Sequence, residues 1–172
     1  MAVSPIQLYT SGYRALFNGA IKWAVPAAPA TATNICAVLL KSTYTSVTLT
    51  DDTWSDISTH HVSSVTYPAY VPKDVYMVET DGVAGRAITP VGDNELRYTS
   101  GEVTFTTNGD ITAAWLVLVA CTPSAITGGT ANNALLIGAV KLNGGANVAS
   151  TAAVFKYSPA SSGWFRLLKT AI

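Results

Sequence analysis

The fold is decided by one apolar stretch in the second half of the chain, ITAAWLVLVAC at residues 111–121. Its centre, Trp115–Val119, is apolar at every position, which is typical of a strand buried on both faces. The stretch is also far shorter than the run of about 18 apolar residues that a membrane helix needs. It therefore predicts a buried strand inside a sheet and no membrane span.

The segments on either side carry further strand and turn signals. Before the stretch, Glu102–Thr107 alternates Val and Phe with Thr, and Asn108-Gly109-Asp110 is typical of a tight turn. After it, Thr122–Asn133 is rich in Thr, Gly and Asn and predicts a loop. A second buried strand is predicted at Ala134–Leu142, closed by Asn143-Gly144-Gly145. The last two predicted strands are Val148–Tyr157 and Gly163–Lys169.

The first half begins with the best helix candidate, Ser11–Ala20. Ser11 is expected to cap it, and its aromatic and aliphatic residues recur at helical spacing on one face: Tyr13, Leu16, Phe17 and Ala20. A strand at Ile21–Val25 and a loop at Pro26–Ala32 are expected to follow. Asn34–Lys41 predicts another buried strand. Within Asp51–Val62, Asp52 or Thr53 is expected to cap a short helical turn.

The remaining segments are predicted to be extended. Thr43–Thr50 suits a strand or an extended loop equally well, and the other expected strands are Ser64–Tyr70, Tyr76–Glu79, Ala84–Pro90 and Glu95–Tyr98. Short strands with turn signals every ~8–12 residues predict an all-β fold. We expect an antiparallel β-sandwich or barrel with a short N-terminal helix. Residues 1–172 are predicted to form one domain, in which residues 1–21 can serve as a docking arm or helix.

The composition favours a protein that works in an assembly. The chain is 49% apolar but only 12% charged, with a formal net charge of +0, whereas soluble domains carry roughly 25% charged residues. A neutral surface of Thr, Ser, Gly, Asn and Ala repels other copies weakly. The ten basic residues are scattered, which argues against nucleic acid as a partner. Cys36 and Cys121 are expected to be buried, and Met1–Gln7 lacks signal-peptide features, which predicts synthesis in a cytoplasm.

The sequence predicts no catalytic residues, no metal site and no cofactor. His60 and His61 are neighbours that point in different directions in a strand or a helix, so one packed and one exposed ring are expected. The carboxylate pairs lie beside turn residues, where solvated side chains are common: Glu79 with Asp81, and Asp93 with Glu95. Gly128-Gly129 and Gly144-Gly145 lack the Lys-Ser/Thr ending of a phosphate-binding loop. We therefore expect a non-enzymatic protein.

The aromatic residues are the candidates for partner contact. Tyr67, Tyr70 and Tyr76 are interleaved with prolines, and they could form an exposed stacking platform for sugars or for a partner protein. Alternatively, they pack over the edge of the sheet. Tyr13 and Phe17 on the predicted helix are the second candidate contact.

Six segments in a fixed order resemble a known group of proteins. They are Tyr13–Trp23, Val38–Tyr44, Asp51–Val62, Val103–Phe105, Thr112–Leu118 and Leu136–Gly138. This order resembles the small structural proteins encoded in the morphogenesis regions of tailed bacteriophages. The similarity consists of strand patterns and covers most of the chain, with Pro68–Asp93 matching least.

The resemblance implies a virion protein that is made in the host cytoplasm. Within that class we expect a capsid decoration or cement protein, a homotrimer or other homo-oligomer, that contacts the major capsid protein or other virion proteins. One alternative is a tail or head-fibre component that touches the host surface. Another, from a different class, is a carbohydrate-binding module that uses the Tyr67–Tyr76 region. The resemblance implies no catalytic residues.

Overall fold

The computed structural model describes residues 6–18, 20, 34–45, 47, 50–68, 70–75, 87–91, 95–99, 102–159 and 164–168. In these ranges the chain is mostly β, with antiparallel sheets and a few short helices. The strands are β1 (Gln7–Leu8), β2 (Cys36–Leu40), β3 (Lys73–Asp74), β4 (Ala87–Val91), β5 (Glu95–Thr99), β6 (Val103–Ala113), β7 (Trp115–Val119), β8 (Leu136–Lys141), β9 (Val148–Tyr157) and β10 (Phe165–Leu168). The helices are α1 (Thr10–Phe17), α2 (Trp54–Ile57) and α3 (Pro123–Thr127), with 3-10 turns at Ser58–His60 and Leu142–Gly145.

A five-stranded sheet forms the centre of the molecule, in the order β1-β8-β7-β2-β3, and each neighbouring pair is antiparallel. Val117 of β7 lies opposite Val38 of β2 and Ala139 of β8. All of β2 and β7, and β8 up to its last residue, are buried. Burial on both faces explains the uninterrupted apolar runs. The buried strands predicted at Asn34–Lys41 and Ala134–Leu142 are confirmed. The single strand predicted at Ile111–Cys121 is divided at Ala114, with its first residues in β6 and its apolar centre in β7.

Each face of this sheet is covered by a hydrophobic cluster, because successive side chains of a strand point to opposite faces. The ribbon-side cluster joins sheet residues to residues of β6 and β9: Ala37, Leu39, Leu116 and Leu118 with Val103, Phe105, Ile111 and Phe155. The helix-side cluster joins the other sheet face to short helices and loops: Val38, Leu40, Trp115 and Val117 with Tyr9, Trp54, Ile57 and Ile126.

Strands β6 and β9 pair with each other as an antiparallel ribbon. The ribbon continues into the central sheet on both strands, because β6 leads through Ala114 into β7 and β8 leads through Leu142 into β9. Two backbone hydrogen bonds hold the bend: Ala114 N–H donates to the Leu40 carbonyl at 2.9 Å, and Leu142 N–H donates to the Ala114 carbonyl at 2.9 Å. One long, bent hairpin therefore supplies strands to the sheet and to the ribbon.

The predicted turn at Asn108-Gly109-Asp110 is wrong, because β6 runs through it. The register with β9 shifts between Thr104 and Thr106, between Thr106 and Gly109, and between Gly109 and Ile111, so bulges absorb the extra residues. On the partner strand β9, Ala152 adopts a φ of 46°, which accommodates these bulges. Its N–H donates to Asp110 Oδ1 at 2.8 Å. Pairing over the whole length of β9 outweighs the local turn preference.

The outer strands of the central sheet are two residues long each. Such short edges offer few backbone groups for pairing with another chain. A further antiparallel sheet has the order β10-β5-β4. Trp164, just before β10, belongs to the ribbon-side cluster, and its ring lies 5.1 Å from that of Tyr157 in β9. The predicted strands at Glu95–Tyr98, Val148–Tyr157 and Gly163–Lys169 are confirmed as β5, β9 and β10.

Several local predictions need correction. Helix α1 starts one residue earlier than predicted, so Ser11 lies inside it and Tyr9 takes the cap position without a side-chain cap. Where a strand was predicted at Ser64–Tyr70, the described residues 64–68 form turns. Inside the predicted loop at 122–133, Thr122 caps α3, and proline occupies the start of that helix. The predicted strands at Ile21–Val25 and Tyr76–Glu79, and the predicted loop at Pro26–Ala32, lie outside the described residues.

Candidate interaction surface

Helix α1 is fixed directly on strand β8. Tyr9 N–H donates to the Ile137 carbonyl at 3.1 Å, and the Ser11 hydroxyl donates to the Leu136 carbonyl at 2.9 Å. Gly12 allows this close approach, because a Cβ there would lie 2.6 Å from Ile137 Cα. The helix is therefore held by contacts with the backbone of β8, and Tyr13 and Phe17 on its other side are exposed.

The entry to α1 is also held by a buried chain of hydroxyl groups. Tyr44 donates to Asp51 Oδ2 at 3.0 Å and accepts a hydrogen bond from Tyr9 at 2.8 Å. Burial raises the pKa of both tyrosines above the ordinary value, so both hydroxyls keep their protons. This chain joins the start of α1 to the loop that carries Asp51 and Asp52.

The open face of α1 carries an aromatic pair. Tyr13 and Phe17 are one helical turn apart, with ring centroids 4.7 Å apart, and they are 53% and 68% exposed. Residues four apart on a helix are neighbours on its surface, which accounts for the pairing. Both candidate contact residues are thus brought together on a helix that the sheet supports.

An open cleft of about 230 Å³ is lined by other residues of α1 together with Asp52 and Leu135. Ala15 and Leu135 supply apolar lining, and Arg14, Asn18 and Asp52 supply polar groups. Asp52 Oδ1 is shielded from solvent and has no hydrogen-bond donor. A shielded acceptor without a donor costs about 1–3 kcal/mol. We call the aromatic pair and this cleft together the α1 surface.

The predicted tyrosine platform is not formed as expected. Tyr70 is 1% exposed, its hydroxyl accepts the Leu39 N–H at 3.0 Å, and its ring stacks on Phe105 with centroids 6.1 Å apart. Its burial corrects the prediction of an exposed ring. Tyr67 is half-buried against the ribbon-side cluster, and Tyr76 lies outside the described residues. The alternative prediction was that these tyrosines pack over the sheet. It describes Tyr70, and in part Tyr67, better than an exposed platform does.

The two histidines have separate surroundings, and both are half-buried. His61 packs between Trp54 and Tyr70, with ring centroids 5.2 and 5.6 Å away, and its Nε2 lies 3.3 Å from the Tyr70 hydroxyl. Burial, and then the positive charge of Lys41, lower the pKa of His61 to about 4. His60 Nδ1 instead lies 2.9 Å from Thr43 Oγ1. In the described part of the chain, no three His, Cys, Asp or Glu side chains come together as metal ligands.

No known protein family, curated protein or solved structure matches this chain. None of the helices described in the structure is long and apolar enough to cross a membrane.

The sequence identified only part of the α1 surface. Helical spacing paired Tyr13 with Phe17, and Arg14 could have been added because it lies between them on the same helix. Asp52 gave no such signal, since only the tertiary fold brings its loop beside α1.

Proposed function

We propose that this chain is a non-enzymatic structural protein of a tailed-bacteriophage virion, and specifically a decoration protein that assembles with itself on the capsid. The observation that carries the proposal is the exposed Tyr13–Phe17 pair on a helix anchored to the central sheet. Large rings on a rigid support bury much apolar area at little cost in side-chain entropy, which suits a permanent contact. The virion setting comes from the resemblance of the sequence patterns.

The charge of the chain supports an assembly role. With a formal net charge of +0 and 12% charged residues, copies repel each other weakly. On a shell with many equivalent positions, even weak contacts become effective, because each bound copy raises the local concentration of the next contact. A neutral surface is suited to such dense packing.

We also propose that the fold is an antiparallel β-sandwich, with the central sheet and the β6–β9 ribbon as its two layers. The support for this is the ribbon-side cluster, which contains Leu39 and Leu118 of the sheet together with Phe105 and Phe155 of the ribbon. A strand that bends at Ala114 and passes from one layer to the other is a common way to build a sandwich corner.

The test combines light scattering of the purified chain with sedimentation in the presence of empty phage capsids. The wild type should form a closed oligomer and sediment with the capsids. The double substitution Tyr13→Ser with Phe17→Ser should weaken both properties at least ~10-fold, because two exposed apolar rings are lost from the contact. Val154→Ser is the matched control, since Val154 is an exposed apolar residue on β9.

A wild-type monomer that ignores capsids would overturn the decoration proposal. A stable oligomer that binds host cells but not capsids would instead favour the tail or head-fibre alternative. Equal behaviour of the double variant and Val154→Ser would show that the aromatic pair is not the contact.

A further inference from the structure

The outer edge of strand β2 is covered by the chain that follows α2, at residues 61–68 and 70–75. We call these residues the clasp. At one end of it, Val62 N–H donates to the Leu39 carbonyl at 3.0 Å. At the other end, β3 pairs with β2, and Val75 N–H donates to the Ile35 carbonyl at 2.8 Å. Between these ends, residues 64–68 form turns, so the backbone of the clasp meets β2 in two short stretches.

The hydroxyl group of Tyr70 completes the cover of this edge. Leu39 N–H donates to it at 3.0 Å, so a side chain takes the place of a strand carbonyl at this position. Tyr70 is 1% exposed and keeps its proton, because burial raises its pKa. Since a buried backbone N–H without an acceptor is costly, the Leu39 N–H depends on this hydroxyl while the edge is covered.

The hydroxyl group of Tyr70 depends in turn on His61. Its oxygen lies 3.3 Å from His61 Nε2 and already accepts the Leu39 N–H, so its hydrogen is available to an unprotonated Nε2. An imidazolium carries a hydrogen on both ring nitrogens and accepts no hydrogen bond. Protonation of His61 therefore removes the acceptor of the Tyr70 hydrogen and puts a charge into a half-buried site.

The charges of the surrounding elements do not offset an imidazolium at position 61. Lys41 of β2 is positive, and its charge disfavours a second cation. The other titratable and charged groups of the described elements around the ring lie elsewhere: Asp56 in the cap of α2, His60 beside Thr43, and Lys73 and Asp74 in β3. Protonation of His61 is therefore unfavourable while the clasp is closed.

We propose that the clasp is released by acid: protonation of His61 frees Tyr70 from Leu39 and uncovers the outer edge of β2, while β2, β7 and β8 stay paired. The clasp meets β2 in two short stretches and through one hydroxyl, whereas β2 pairs with β7 over five residues that are buried on both faces. Segments with few backbone hydrogen bonds open more readily than a core sheet. This device is independent of the proposed assembly role.

Acid favours the open clasp because His61 binds a proton more readily in that state. In the closed state, burial and then the charge of Lys41 lower its pKa to about 4, and in the open state the ring regains the ordinary value of ~6.5. These two values predict that the ratio of open to closed molecules rises about 30-fold from pH ~7.5 to pH ~5. Because the ring is half-buried, we expect a rise of at least ~10-fold.

Hydrogen exchange of the Leu39 amide, followed by NMR in the full chain, measures the opening. Its protection factor compares the rate in an unstructured chain with the measured rate, so the pH dependence of the exchange chemistry cancels. The protection factor should fall at least ~10-fold from pH ~7.5 to pH ~5. It should stay constant in low concentrations of urea and lie well below that of Val117 in β7, because a local opening exposes little surface.

Three variants assign this opening to the pair of His61 and Tyr70. His61→Gln keeps an acceptor for Tyr70 but does not titrate in this range, so the protection of Leu39 should lose its pH dependence. His60→Gln is the matched control and should keep it. Tyr70→Phe removes the hydroxyl alone and should lower the protection of Leu39 at pH ~7.5 at least ~10-fold. Circular dichroism verifies the fold of each variant.

The wild-type measurement tests the proposal even if a variant does not fold. A Leu39 amide that is protected as strongly as Val117, and whose protection falls as steeply with urea, opens only when the whole molecule unfolds, which would overturn the clasp. Equal protection of Leu39 at both pH values would overturn the role of His61.

Discussion

At the residue scale, the environment of His61 links an ionisable group to the core. Its ring fills the space between Trp54 of the helix-side cluster and the buried ring of Tyr70. Tyr70 accepts the Leu39 N–H, so its own hydrogen is available to donate to His61 Nε2, which requires the neutral imidazole. The lowered pKa of about 4 agrees with this arrangement.

His61 should make the stability of the protein depend on pH. Between pH ~6.5 and about 4, the unfolded chain binds a proton at His61 while the folded protein does not. The free energy of unfolding therefore falls as the pH falls through this window, and the term levels off below pH 4. Because the ring is only half-buried, we expect a loss of about 1–2 kcal/mol from this group.

Urea denaturation of wild type and His61→Gln at several pH values measures this effect. The difference between the two free energies of unfolding should change between neutral pH and the acid end of the window. His60→Gln retains His61 and should follow the wild-type curve. Parallel curves for wild type and His61→Gln would refute the assignment.

At the element scale, α2 shows how a very short helix is stabilised. Thr53 and Asp56 form a capping box, in which Asp56 Oδ2 accepts the Thr53 N–H at 2.8 Å and the Asp52 N–H at 3.0 Å. These backbone hydrogen bonds lower the pKa of the Asp56 carboxyl. The cap matters because the helix carries Trp54 and Ile57 into the helix-side cluster.

Asp56→Ala should destabilise the protein by about 1 kcal/mol, because two backbone N–H groups lose their acceptor. Denaturation at neutral pH measures the change, and Thr59→Ala, on the exposed surface of the following turn, is the control. In strong acid the wild-type carboxyl is protonated and the difference should shrink. An unchanged free energy of unfolding at neutral pH would contradict the role of the cap.

At the scale of the whole molecule, the bent hairpin connects the central sheet with the β6–β9 ribbon. Phe105 of β6 is 1% exposed and contacts the rings of Tyr70 and Phe155, with centroids 6.1 and 6.2 Å away. It lies in the same cluster as Leu39 and Leu118 of the central sheet. The packing of the ribbon on the sheet therefore depends on a few large side chains.

Phe105→Ala should lower the free energy of unfolding by about 3–5 kcal/mol, because it removes buried apolar area and leaves a cavity. Val154→Ala on the exposed side of β9 should change it by less than about 0.5 kcal/mol. Chemical denaturation compares the two. A loss under about 1 kcal/mol at Phe105 would mean that the ribbon does not cover the sheet as a layer.

Prediction from the sequence succeeded where one local signal dominated. The continuous apolar runs at β2, β7 and β8 predicted strands buried on both faces, and Thr53 was a predicted cap of α2. Prediction failed where long-range pairing overruled a local preference. Asn108-Gly109-Asp110 prefers a turn, yet β9 pairs along it, and Tyr70 is taken into the core although prolines surround it.

The sequence by itself determined the β-rich class, the buried central strands and the pairing of Tyr13 with Phe17, because these follow from periodicity along a single segment. Only the tertiary structure decided that β6 and β7 form one bent strand, that Tyr70 is buried, and that Asp52 and Arg14 line the same cleft. Each of these depends on contacts between segments far apart in the chain. Local patterns cannot specify such contacts, since their energy is realised only when the whole core is packed.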